Sequence, residues 1–211
     1  MNDALRQQLV AMAAEDARVR AELAATGELF RGYAPRMEDV HRRNARDLLA
    51  IVREHGWPGR TLVGEEAMHA AWLVLQHAIG EPGVQRGCLP ILRAAVERGE
   101  ATPAQVAYLE DRIAFFERRP QRYGTQFDWD ERGMLSPWPI EDPEGVDARR
   151  AAVGLPPLAD RIDQARRNAQ GSVPPKRRLL RIFQGESQVI QALTSATPVS
   201  STTSVASHGM R

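Results

Sequence analysis

Thr61 to Ile79 reads TLVGEEAMHAAWLVLQHAI, and the rest of the chain is organised around it. From Ala67 to Ile79 no side chain is charged at neutral pH. Met68, Ala71, Trp72, Leu75 and Ile79 recur at three- and four-residue steps, the period of one helix face. Ala67, Ala70, Val74 and His77 follow a neighbouring face, and Leu73 widens the apolar arc. A helix apolar over most of its circumference packs on several sides. At 1.5 Å per residue the apolar part rises about 20 Å, too short to cross a bilayer. Glu65 and Glu66 suit the positive end of this helix, and Gly80 is the expected stop.

The flanking segments carry the same period. Leu5, Leu9, Met12, Val19 and Leu23 form a stripe between Asn2 and Ala25, and Asp16 falls within it. Arg36 to His55 is a second helix, with Val40, Leu48, Ile51 and Val52 inward and Asn44 on or beside that stripe. Val84 to Arg98 is helical, and Pro90 is expected to open its stronger part after a separate turn. Thr102 and Pro103 open another helix, lined by Val106, Leu109, Ile113 and Phe116. Gln121 to Phe127 is an extended segment or strand, and Met134 to Ile140 is its return. The fold class is therefore mainly α: a compact helical bundle around a buried central helix, with a small β-hairpin or extended segment. The helical domain with its wrapping segment is expected over 1–160, and a basic, partly disordered tail over 161–211.

Charge supports that division. The chain has 28 Lys+Arg and 27 Asp+Glu, a net +1. Residues 1–160 hold 20 basic and 25 acidic residues, or −5; residues 161–211 hold 8 and 2, or +6. Lys176-Arg177-Arg178-Leu179-Leu180-Arg181 is a short basic patch without an aromatic series, so nucleic acid is disfavoured as a partner. No stretch is long and apolar enough for a membrane span, and the N-terminal residues lack the apolar core of a signal peptide. A single cysteine, Cys88, excludes an internal disulfide framework and fits a cytoplasmic home. The oligomeric state is not legible.

The informative residues are polar groups on apolar faces. Gln76 and His77 need hydrogen-bond partners if the central helix is buried. His77 is either a base, acid or ligand, or a buried histidine satisfied by a carboxylate. Asp111 lies between Ala107 and Ala114 and is the first candidate partner for His77 or Arg112. An Asp–His pair fixes the imidazole tautomer and raises its basicity. Asp16 and Asn44 face the core from their helices. Gln121, Tyr123, Thr125 and Gln126 can line a polar pocket, and Arg112 or Arg150 can hold an anion at its side. Two functions follow: a module that binds a polar small molecule or a partner, or a hydrolase or transferase with His77 as general base oriented by Asp111. Standard signatures for phosphate loops, nucleophile elbows, Cys-x-x-Cys and His-Glu-x-x-His are absent. His69 and His77 stand about 12 Å apart along the helix axis, too far to share one ion. No metal ligand set and no cofactor is assigned.

Several unusual segments occur together in one order. Asn44 precedes His55-Gly56-Trp57-Pro58, then Trp72-Leu73-Val74-Leu75-Gln76-His77-Ala78, Gln85 and Cys88-Leu89-Pro90. Ala107-Tyr108-Leu109-Glu110-Asp111-Arg112 precedes Gln121-Arg122-Tyr123-Gly124-Thr125-Gln126-Phe127, then Pro139-Ile140-Glu141-Asp142-Pro143. Over roughly residues 10–160 this resembles a bacterial family, the domain of unknown function numbered 6624. The resemblance implies a common domain and site but no activity. It also implies an aspartate where this chain has Ile79.

Overall fold

The computed structural model describes residues 1–168. The expectations for the basic patch and the tail beyond it lie outside those residues. Among the described residues, seven helices and one hairpin follow in chain order: α1 (Asp3–Ala25), α2 (Pro35–His55), α3 (Arg60–His77), α4 (Pro82–Glu97), α5 (Pro103–Phe116), β1 (Phe127–Trp129), β2 (Leu135–Pro137), α6 (Val146–Ala152) and α7 (Leu158–Asn168). A 3-10 turn, Glu28–Phe30, lies between α1 and α2. The architecture is mainly α, and α3 is its centre, packed against α1, α2, α4 and α5.

The apolar face of α3 explains that position. Val63, Ala67, Met68, Ala71, Val74 and Leu75 are all buried. They meet Leu5, Leu9 and Met12 of α1, Leu48 and Val52 of α2, Leu92 and Ala95 of α4, and Leu109 and Ile113 of α5 in one core. Alanines at 67, 70 and 71 let neighbouring backbones approach closely. Trp72 donates its indole N–H to the Gln105 carbonyl at 3.1 Å, which ties α3 to the start of α5. That start is held by a reciprocal capping box between Thr102 and Gln105. Asn2 caps α1 through Leu5 N–H at 3.1 Å.

Four boundaries differ from the sequence expectation. The central helix begins at Arg60, ends at His77, and breaks at Gly64, whose φ is +82° and ψ 169°. A left-handed φ with an extended ψ is open to glycine and strained for other residues, so Gly64 punctuates where an even helix was expected. Pro90 does not divide its segment: α4 runs through it. Pro90 sits on an exposed face, where solvent can reach the carbonyl that its missing N–H leaves unpaired. The hairpin ladder starts at Phe127, with Phe127 opposite Pro137 and Trp129 opposite Leu135. Residues 121–126 are therefore outside it, apart from a bridge between Gln121 and Ile140. Finally, α7 runs across residue 160, so the expected domain boundary falls inside a helix. Its buried Ala165, the Arg161 guanidinium 5.1 Å from the Phe127 ring centre, and the Arg166 bond to the Leu135 carbonyl hold it against the hairpin.

Among the described residues, no helix is long and apolar enough to cross a membrane.

Candidate functional site

Asp16 occupies the middle of the buried stripe of α1, between Met12 and Val19, and is 2% exposed. The seam places a carboxylate where apolar side chains would pack, so it needs donors from neighbouring helices. One imidazole hydrogen-bonds it and a second stands close to the same oxygen. His77, the last residue of α3, brings Nδ1 within 2.9 Å of Asp16 Oδ2. His41, on the buried face of α2, brings Nε2 within 3.2 Å of the same oxygen. That second approach is off the line of a hydrogen bond, so His41 Nε2 is a buried nitrogen without a hydrogen-bond partner. The other nitrogen of His41, Nδ1, lies 2.8 Å from the hydroxyl of Tyr33. The two imidazole rings are 5.5 Å apart between centres.

The three helices are pinned around this cluster by polar contacts one turn away. Asn44 donates to the Met12 carbonyl at 3.2 Å, fixing α2 on α1. Gln85 of α4 donates to the carbonyls of Leu75 and Gln76 at 3.1 and 3.2 Å. Those carbonyls lie at the C-terminal end of α3, where intrahelical partners run out, so Gln85 closes the helix beside His77.

Burial pushes the Asp16 carboxyl up, but the close approach of the His41 and His77 imidazoles outweighs it and holds it well below the usual carboxylate range. Burial raises the Tyr33 phenol, so it stays a neutral hydroxyl. Within the cluster, the His77 side chain is 22% exposed, against 6% for His41 and 3% for Asp16. Solvent reaches the site from the His77 side. Together Asp16, His41 and His77 offer one ligand atom each, all within 4.8 Å of one another. Two imidazole nitrogens and one carboxylate oxygen form a donor set for first-row divalent metals.

Asp111 does not meet His77, correcting the pairing expected from sequence. Its carboxylate accepts the backbone N–H of Arg122 at 2.7 Å, Tyr123 at 3.0 Å and Thr125 at 2.9 Å. Burial raises its carboxyl, and the backbone donors of Thr125, Tyr123 and Arg122 pull it partly back. Segment 121–126 has no ladder to satisfy its amides, so the nearest buried acceptor, Asp111, takes them. Gln121 completes this network: it accepts from Gln126 N–H at 2.9 Å and donates to the carbonyls of Gln126 and Trp138. The Gln126 amide donates to the Thr125 hydroxyl at 2.9 Å.

Arg150 is 1% exposed and bonds the carbonyls of Pro156 and Tyr123, both at 2.6 Å. Its guanidinium is thus committed to backbone. Gln121, Tyr123, Thr125, Gln126, Asp111 and Arg150 form a second polar cluster. No hydrogen bond, ion pair or ring contact among the described residues joins it to Asp16 or His77. A surface cleft of about 230 Å³ adjoins Asp111 and is lined by Arg93, Glu110, Arg119, Arg122 and Glu141, none of them in the Asp16 cluster.

Gln76 bridges α3 to α5: its carbonyl oxygen accepts from Arg112 Nε at 2.8 Å. Of the sequence candidates, the structure brings Asp16 and His77 together, with Asn44 as a brace and Gln76 and Arg112 as a neighbouring pair.

A family model matches residues 3–173. The chain belongs to DUF6624, a family of unknown function. No curated protein and no solved structure matches the chain. Sequence reasoning missed two members of the cluster in this DUF6624 domain, His41 and Tyr33. The signal for His41 was present: Met37, Val40, His41, Asn44 and Leu48 share the buried side of α2. Two arginines following His41 mask that period. Tyr33 carries no comparable signal, because it lies in an irregular connection.

Proposed function

We propose that Asp16, His41 and His77 bind one divalent first-row transition metal and present it to a polar small molecule. The observation that carries this reading is the convergence of three ligand atoms from three separate helices within 4.8 Å. A tetrahedral ion about 2.1 Å from each donor would place the donors about 3.4 Å apart. The observed 2.9 and 3.2 Å separations from Asp16 Oδ2 are close to that spacing. Tyr33 supports it from outside, since a hydrogen bond at the far nitrogen of a ligating histidine sets its tautomer and orientation. Three protein ligands leave coordination positions for water or substrate on the exposed side of His77. A metal held in this way lowers the pKa of its bound water and polarises carbonyl or phosphoryl oxygen, chemistry suited to hydrolysis.

The test is a Co²⁺ or Zn²⁺ titration of EDTA-treated protein, followed by calorimetry and by the visible absorption of Co²⁺. One ion per chain is expected, lost in His41→Ala and in Asp16→Asn. Absence of binding, or binding unchanged in both variants, overturns the reading. Affinity falls on acidification, because both imidazoles and the carboxylate ligate in their unprotonated forms.

A second reading rests on the 2.9 Å contact between His77 Nδ1 and Asp16 Oδ2. In it, His77 is a general base or a binding group held by Asp16, without a metal. It is favoured if EDTA-treated protein retains ligand binding or turnover that His77→Gln removes and His41→Ala leaves in place.

A further inference from the structure

Beside the Asp16 cluster lies a group of donors with no acceptor to match them. Gln76 is 3% exposed. Its carbonyl oxygen faces Arg112 Nε, which can only donate, so the orientation of the amide is fixed by its partner. The amide nitrogen is therefore a true donor, and it is buried without a partner. Arg112 is half-buried, and among the described residues its guanidinium has no carboxylate partner. Its hydrogen bond to Gln76 uses Nε, which leaves the two terminal nitrogens of the fork. Desolvation pulls the Arg112 pKa down to about 10, and the charge of Arg20 adds to that. A guanidinium largely withdrawn from solvent without a carboxylate partner is costly. An anion offsets that cost and gives the Gln76 amide an acceptor.

The placement gives this anion a role. Gln76 immediately precedes His77 on α3. Gln76 thus shares its helix with a member of the cluster, and Arg112 reaches it from α5. Arg150, the other arginine with pocket potential in the sequence, is excluded because backbone carbonyls occupy its guanidinium. A planar fork with free terminal nitrogens suits bidentate contact with a carboxylate or a phosphate.

We infer that Arg112 and Gln76 form an oxyanion-binding subsite, so that the small molecule taken by this site is anionic, carrying a phosphate or carboxylate group. This deepens the reading above, since the subsite takes its meaning from the cluster beside it.

The test uses the full chain after EDTA treatment, with inorganic phosphate and acetate as separate probes at constant ionic strength. Binding is followed by calorimetry and by the NMR signal of the Arg112 Nε–H. Saturable binding of one of the probes is expected, weakened at least tenfold in Arg112→Gln and less in Arg112→Lys, which keeps charge but loses the fork. The stronger probe identifies the oxyanion class. Circular dichroism confirms that each variant is folded, and Gln76→Glu, which sets a carboxylate against Arg112, gives a second weakened variant. Asp16→Asn separates the two readings. Anion binding that survives in Asp16→Asn but is lost in Arg112→Gln upholds the subsite whatever becomes of the metal. Binding unaffected by Arg112→Gln and Gln76→Glu overturns the subsite and leaves the metal reading standing. No binding of either probe also overturns it.

Discussion

Asp16 is tenable in an apolar seam because two imidazoles meet its carboxylate. Removing one partner from a buried charged group costs about 3 kcal/mol or more, so Asp16→Ala is expected to lose that much in urea denaturation. The pH dependence follows from the direction of its shift. The folded carboxyl lies below the unfolded reference of 3.8, so its contribution is present above that pH. It is lost as pH falls from there through the lower folded value. Wild-type stability should therefore drop more steeply below about pH 4 than that of Asp16→Asn, measured as the urea midpoint against pH. An equally steep loss in both proteins would show that Asp16 does not set the acid limit. At this scale the sequence was partly legible. The seven-residue spacing from Met12 to Val19 put Asp16 inside, but a partner can be named only when the helices are assembled. Asp111 looked equally suitable because nothing in its neighbours reveals that unpaired amides will reach it first.

Helices were legible wherever apolar residues repeat, and their interruptions were not. Gly64, between Val63 and Glu65 inside a helical stretch, gives no sign of its left-handed backbone; Pro90 advertises a break that α4 does not make. Glycines with positive φ separate conformation from packing. At Gly64, an added Cβ would meet nothing closer than Met1 at 3.8 Å. Gly64→Ala is expected to cost about 1–3 kcal/mol from backbone strain alone. At Gly124, with φ +69°, the Cβ would lie 2.7 Å from Leu158 Cδ1 and 3.1 Å from Ile140 Cδ1. Gly124→Ala should therefore cost more than Gly64→Ala, and thermal melts of the two variants compare them directly. The reverse order would mean that α7 yields easily around Leu158.

Across the whole molecule, the proposed centre draws on α1, α2 and α3, so its geometry exists only when those helices are packed. A metal that binds the folded chain alone stabilises it by about 2.7 kcal/mol at a free concentration a hundred times its Kd. Co²⁺ or Zn²⁺ should accordingly raise the melting temperature of wild type and leave that of His41→Ala unchanged. An equal rise in both would point to ions bound elsewhere. The bundle itself could be read from period and punctuation, because its core is made of repeating helix faces. The association of Asp16, His41 and His77 could not, since it depends on how three faces are rotated against one another.

Asp111 has one more effect, on solvent protons. Its single carboxylate holds the amides of Arg122, Tyr123 and Thr125 in a segment that belongs to no helix or strand. Irregular backbone usually trades its deuterium quickly, yet these three positions should exchange slowly and at a common rate. Asp111→Asn, which replaces one acceptor oxygen by a donor, should release all three together while the α1–α3 amides keep their protection.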